Sequence, residues 1–171
     1  MKLKTIAFFA LIFLVSVNAK SQMLFNKVFG KKATYSVEVP KQYSIKEAIG
    51  ANVDIKYVDS YGASVITVVK KLPQGASEKD INQMNEISDF EFIDIMESMG
   101  SQNISLIKRG FIYINGVKSF YAYYRDLDLY YHSITQFKKG KNFNLTYTCA
   151  YQQKDSYMPY IFRVVNSIKW N

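Results

Sequence analysis

The chain is poor in the residues that usually announce a mechanism. Of its 171 residues one is cysteine, one histidine, one tryptophan and three are proline. A lone Cys149 excludes an intramolecular disulfide, so the domain must be held by its core. Three prolines in no cluster leave no proline-rich linker, and neither internal repeats nor low-complexity runs divide the chain. There is no Gly-rich phosphate loop, neither a Walker motif nor Gly-x-Gly-x-x-Gly, and no Gly-x-Ser-x-Gly elbow. The longest apolar run, about ten residues, is too short to span a bilayer.

That run lies at the start. Lys2 and Lys4 precede Ile6 to Val15, and Val17-Asn18-Ala19 closes the segment with small residues. This pattern predicts a secretory signal peptide over 1–19, cleaved after Ala19, with Ser21 and Gln22 as alternatives. The mature protein is then expected outside the cytoplasm, periplasmic or extracellular, with no stable membrane insertion. No cysteine stands at the end of the segment, which excludes lipid attachment by the lipoprotein route. Residues 20–34 read as a lead-in and 35–171 as one domain. The whole chain is 49% hydrophobic and 16% aromatic, a composition of packed globular domains. Net charge is +8, and +6 once Lys2 and Lys4 are removed. That excess allows attraction to an anionic envelope component or an acidic protein, and lacks the concentrated basic stripe a nucleic-acid partner needs.

Local patterns predict the elements. Tyr35 to Val39 alternates and stops at Pro40; Val53–Tyr57 and Ala63–Val69 flank turn chemistry at Asp59 to Gly62. Ser77 with Asp80 resembles a capping box, opening a helix whose apolar stripe runs Ile81, Met84, Ile87, Phe90, Ile95, Met96 and Met99 to a stop at Gly100. Such a stripe reads as core. Asn115-Gly116 marks a hairpin between Ile104–Ile114 and Val117–Arg125. Asp126 to Asp128 is either a turn or part of one bent strand. Leu129–Phe137 and Phe143–Cys149 follow, separated by Lys138 to Lys141. Asp155 or Ser156 is expected to cap a last helix, with Pro159 in its first turn and Tyr160, Ile161, Val164, Val165 and Ile168 buried. Strand, hairpin, helix, antiparallel meander, helix argues for an α+β fold with a central antiparallel sheet carrying helices.

In that order the segments resemble the PsbP-like (Mog1/PsbP/DcrB) fold over about 35–170. The resemblance is carried by Tyr35-Ser36-Val37-Glu38-Val39-Pro40, Asn52 to Asp59 with Gly62 to Val65, Ile114-Asn115-Gly116-Val117, Leu145 to Thr148 and Val165 to Trp170. It implies an α/β/α sandwich without a catalytic centre, in a group that mostly binds proteins. PsbP supports photosystem II, a nuclear relative binds Ran, and DcrB-type proteins sit in the bacterial envelope.

His132 could join Asp126 or Asp128 and Ser133 in a triad, but Ser133 would face away from His132 on a regular strand. Asp126, Asp128 and His132 share a strand face, yet Asp126 and His132 would lie about 20 Å apart on one strand, too far for one metal ion. An ordinary half-exposed histidine is expected instead. Cys149 alternates with Phe143, Leu145 and Tyr147 and is expected inside. Glu38, Asp54, Asp59, Asp126 and Asp128 are the candidate carboxylates for a small secreted hydrolase working in a sheet-helix cleft, the alternative reading. Lys70-Lys71, Lys108-Arg109 and Lys138 to Lys141 could form a basic rim, or protect edges. The tyrosine block offers the binding surface: Tyr121, Tyr123, Arg125, Tyr130 and His132 are the candidate contacts. No catalytic residue, metal or cofactor is expected. The leading expectation is an exported, non-enzymatic protein that binds or stabilises a partner in the cell envelope.

Overall fold

Alternating apolar and polar residues on long strands leave a sheet with two faces to cover, and this chain covers both. The computed structural model describes residues 23–98, 100–101 and 103–171. The expected signal peptide and Met99 lie outside them. Seven antiparallel strands form the main sheet in the order β3-β4-β5-β9-β8-β7-β6. They are β3 (Ser44–Ile45), β4 (Val53–Val58), β5 (Ser64–Lys71), β6 (Ile104–Ile114), β7 (Val117–Asp126), β8 (Leu129–Lys138) and β9 (Lys141–Ala150). A smaller sheet sets β2 (Tyr35–Pro40) between β1 (Phe25–Phe29) and β10 (Lys169–Trp170).

Turn chemistry sets the registers of the meander. Asn115 and Gly116 both take positive φ, 48° and 81°, as a two-residue turn between paired Ile114 and Val117 demands. Lys139 and Gly140 do the same between Lys138 and Lys141. Asp126 pairs with Leu129, so the acidic stretch is a turn, with Leu127 at φ 53°. Asp126 and His132 therefore belong to different strands.

One sheet face carries Phe143, Leu145, Tyr147 and Cys149, all buried, under β2 and the C-terminal helix Lys154–Asn166. That helix starts before Asp155 and carries no side-chain cap, which places Pro159 in its interior rather than its first turn. Ile161, Val164, Val165 and, just beyond it, Ile168 are buried as expected. Several buried polar groups on this face are paired, while Ser36 Oγ and the His132 ring are not. Tyr35 Oη donates to Asp54 Oδ2 at 2.9 Å and meets Thr67 Oγ1 at 2.6 Å. Trp170 Nε1 donates to Gln136 Oε1, whose amide donates to Ser119 Oγ. β1 lies inside the stretch expected to be a lead-in. Its pattern is short and broken by Lys27, yet Phe25 and Val28 pack on this core.

The opposite face, with Phe120, Ala122 and Tyr124 from β7, is covered by residues 78–98. The expected single helix is two. A 3-10 segment, Glu78–Asn85, ends before a break, and an α-helix spans Asp89–Ser98. The break resets the helical phase. Ile81 and Phe92 are buried, while Phe90 and Ile95, expected in the core, are 72% and 45% exposed.

Candidate functional site

Where residues 78–98 bridge the second face they do not close down on it. A cleft of about 490 Å³ remains between cover and sheet. Met84, Ile87, Phe92, Ile95 and Met96 line it from the cover; Val68, Phe120, Ala122, Tyr124 and Phe137 line it from the strands. A band of small polar side chains crosses its floor: Ser133 and Thr135 from β8, Asn142, Asn144 and Thr146 from β9. Asn144 organises that band. Its amide donates to Ser133 Oγ at 2.9 Å and Thr135 Oγ1 at 3.1 Å, and its Oδ1 accepts from Thr146 Oγ1 at 2.9 Å. At the end of β5, Lys70 is exposed and is the one charged side chain among the described lining residues.

The cover is shaped by local sequence. Ser77 and Asp80 form a reciprocal capping box, the Asp80 carboxylate accepting from Ser77 N at 2.6 Å. Ser88 and Glu91 repeat the device: Glu91 Oε2 accepts from Ser88 N at 2.6 Å, and Ser88 Oγ from Glu91 N at 3.2 Å. A second start signal eleven residues after the first is why the stripe breaks. Arg109 fastens the break. From β6 its guanidinium donates to Asp89 Oδ1 at 2.6 Å and to the carbonyls of Met84 and Ile87, lying 5.7 Å from the Phe92 ring. At the other end Glu78 accepts from Lys138 Nζ and Lys139 N, both at 2.9 Å, which holds its carboxyl below the usual range. Arg109 and Lys138, read from sequence as edge-protecting or rim charges, are fasteners.

The five residues expected to form a binding surface sit on the opposite face. Tyr121, Tyr130 and His132 are buried and Tyr123 is half-buried. The structure brings four of them together as a ring stack: Tyr123 lies 4.7 Å from Tyr121 and 3.9 Å from His132, and Tyr130 packs edge-on to His132. Burial, then the Tyr121 phenol, pushes Tyr123 up to about 12, and burial lowers His132 to about 4. The expectation of exposed tyrosines and a half-exposed histidine is corrected: alternate β7 and β8 side chains face two covers, so neither parity is left in water. Both His132 nitrogens lack a hydrogen-bond partner. Arg125 stands apart, folded over the Tyr151 ring at 4.6 Å and donating to Leu127 O.

The other chemistry-bearing residues are engaged elsewhere. Ser133 lies in the cleft while His132 faces away from it. Cys149 is buried, and burial with the Asp59 carboxylate pushes its thiol to about 11. Asp54, aimed inward at a β-bulge, accepts from Lys31 N, Lys32 N and Tyr35 Oη. Asp59 accepts from Ala63 N and Tyr157 Oη, Glu38 from Arg163, and Asp128 pairs with Arg125. No carboxylate appears among the described residues that line this cleft; Glu38 lies instead in a second hollow, between β1, β2 and the C-terminal helix, and Asp54 in a third, beside β1 and β4. Among the described residues no group of three or more His, Cys, Asp or Glu could hold a metal ion.

Sequence reasoning missed the cleft residues. Ser133, Thr135, Asn144 and Thr146 are the polar half of alternating strands, a pattern identical to that of a solvent-facing surface. The one usable signal was Ser88-x-x-Glu91, which marks a second helix start and hence a bent cover.

No family model and no curated protein matches the sequence. Solved structures do. Cyanobacterial PsbP (CyanoP) from Synechocystis superposes with a TM-score of 0.68 at 14% identity, over 90% of this chain and 96% of that one. LpqN of Mycobacterium tuberculosis, a protein involved in cell envelope biogenesis, gives 0.59 at 8% identity, over 91% and 95%. PA94 of Pseudomonas aeruginosa, a protein of unknown function, gives 0.52 at 15% identity, over 86% and 97%. With its antiparallel sheet between two helical covers and its likeness to these structures over nearly its whole length, the chain has the PsbP-like fold, an α+β sandwich.

Proposed function

We propose that this protein is exported and works in the cell envelope as a non-enzymatic binding protein that holds a partner in the cleft beneath residues 78–98. The observation that carries the reading is the character of that cleft. It is roomy, lined by flexible Met84 and Met96 together with aliphatic and aromatic groups, and floored by hydroxyls and amides that bond to one another. Small-molecule and peptide sites share this make-up, an apolar lining with few polar groups and a volume of about 300–1,000 Å³. Nothing in the described lining pairs a nucleophile with a base, so the chemistry available there is recognition. The leader-like pattern of 1–19 and the +6 charge of the remainder support work outside the cytoplasm beside anionic surfaces. The envelope role of LpqN is consistent with that setting. No helix among the described residues is long and apolar enough to cross a membrane.

The test is capture from envelope extract with the protein and its Ala122→Trp variant, which fills the cleft from the β7 side. The expected result is a partner retained by the first and lost by the second, with unchanged circular dichroism. Retention of nothing across a range of salt concentrations, or equal retention by both, contradicts the proposal.

A further inference from the structure

Among its described lining residues the cleft has one charge and a largely self-bonded floor, and together these narrow what it accepts. The middle of the floor is tied to itself: Asn144 bonds to Ser133, Thr135 and Thr146, and Asn142 stands beyond that set at the Lys70 end. A ligand rich in hydroxyls or amides would have to break that set to be read, and would otherwise bury unpaired groups of its own. A hydrocarbon chain leaves the Asn144 set unbroken. From Asn142 to Thr146 the floor runs about 14 Å along β9 at the rise of a strand. It ends beside Lys70, which pairs in register with Asn142 and faces the cleft with Val68 two residues before it. Lys70 makes no ion pair with any described residue, in contrast to Lys138 and Lys154, which do. Opposite the floor, Met84 and Met96 supply side chains that reshape around a chain without branching demands.

We propose that the cleft binds a single-chain anionic amphiphile, a fatty acid in its simplest form, with the hydrocarbon chain between the methionines and the floor and the carboxylate at Lys70. The inference rests on the reading of the cleft as the binding site and adds the class of its ligand. Apolar burial supplies most of the affinity, and Lys70 supplies the preference for negative over positive head groups. Ile95, half exposed beside the cleft, leaves a side through which a chain can enter.

Calorimetric titration of the untruncated protein, as purified from expressing cells, tests this with dodecanoate and dodecyltrimethylammonium below their aggregation concentrations. One-to-one binding of dodecanoate is expected, with the cationic probe at least about tenfold weaker, the effect of one well-placed charge. Lys70→Glu, a change at an exposed site that spares the fold, should weaken dodecanoate by about tenfold or more and strengthen the cation. Ala122→Trp should remove both. Equal binding of the two probes, or a Lys70→Glu variant that still prefers dodecanoate, overturns the proposal. If neither probe binds while Ala122→Trp still abolishes capture of an envelope partner, the ligand class is wrong and the cleft remains the site. If Ala122→Trp changes neither probe binding nor capture, the reading of the cleft itself fails.

Discussion

His132 is an imidazole with nothing to hold. It is 1% exposed, ringed by Tyr123, Tyr130 and Phe162, and neither nitrogen has a hydrogen-bond partner. Burial therefore keeps it neutral, lowering its pKa from 6.5 to about 4. The unfolded chain takes up this proton near pH 6.5 and the folded chain only near pH 4. Its contribution to stability is thus complete above pH 6.5 and lost as pH falls from there to about 4, by at most about 3 kcal/mol. His132→Phe should flatten that part of the pH dependence and leave stability at pH 7 unchanged or raised. Urea unfolding at pH 7 and pH 4.5 checks it; parallel losses in both proteins would disprove the assignment. Gly30 illustrates the opposite constraint. A Cβ there would collide with the Tyr35 ring, which Asp54, Thr67 and Phe143 pin in place. Gly30→Ala should cost about 2 kcal/mol or more, measured as a lower denaturation midpoint. The residue lies in the stretch expected to be a mere lead-in, where its role was invisible because the ring it accommodates comes from β2.

At the scale of elements the cover is the piece whose stability is local. Ser88 and Glu91 start the 89–98 helix, and Arg109 ties its entrance to β6 with three hydrogen bonds while only 11% of its side chain is exposed. Ser88→Ala should cost about 1 kcal/mol. Arg109→Ala should cost roughly 2 kcal/mol, since charge-assisted hydrogen bonds are lost and carbonyls left bare. For both, hydrogen exchange should quicken in residues 78–98 while β8 and β9 keep their protection; uniform quickening would mean the cover is no separate unit. The hairpins were legible because Asn115-Gly116 and Lys139-Gly140 carry the turn requirement in the residues themselves. The helix stripe misled because a period read across 81–99 assumes one unbroken axis. Phe92, absent from that stripe, is buried because the axis restarts at Ser88. The cleft floor was unreadable for a related reason. Alternation tells which residues share a face, and only the packing of distant segments tells what covers it.

For the whole molecule, the two faces of the sheet divide the labour. The face under the C-terminal helix and β2 carries the larger buried cluster, with the buried tyrosines other than Tyr124, the thiol and the Gln136–Trp170 pair. Cys149, with its pKa raised to about 11, should resist thiol reagents in the native protein and react only on unfolding. The second face is incompletely filled, and its cover is held by polar fasteners as well as by the Ile81 and Phe92 contacts, an arrangement suited to admitting a ligand. The most direct test places a photoreactive benzoyl-phenylalanine at Ile95, beside the cleft, or at Tyr113, exposed and outside it, and irradiates living cells. An adduct from position 95 in the envelope fraction, with none from position 113, is the result expected of a binding protein that uses its cleft; no adduct from position 95, or equal adducts from both, would contradict it.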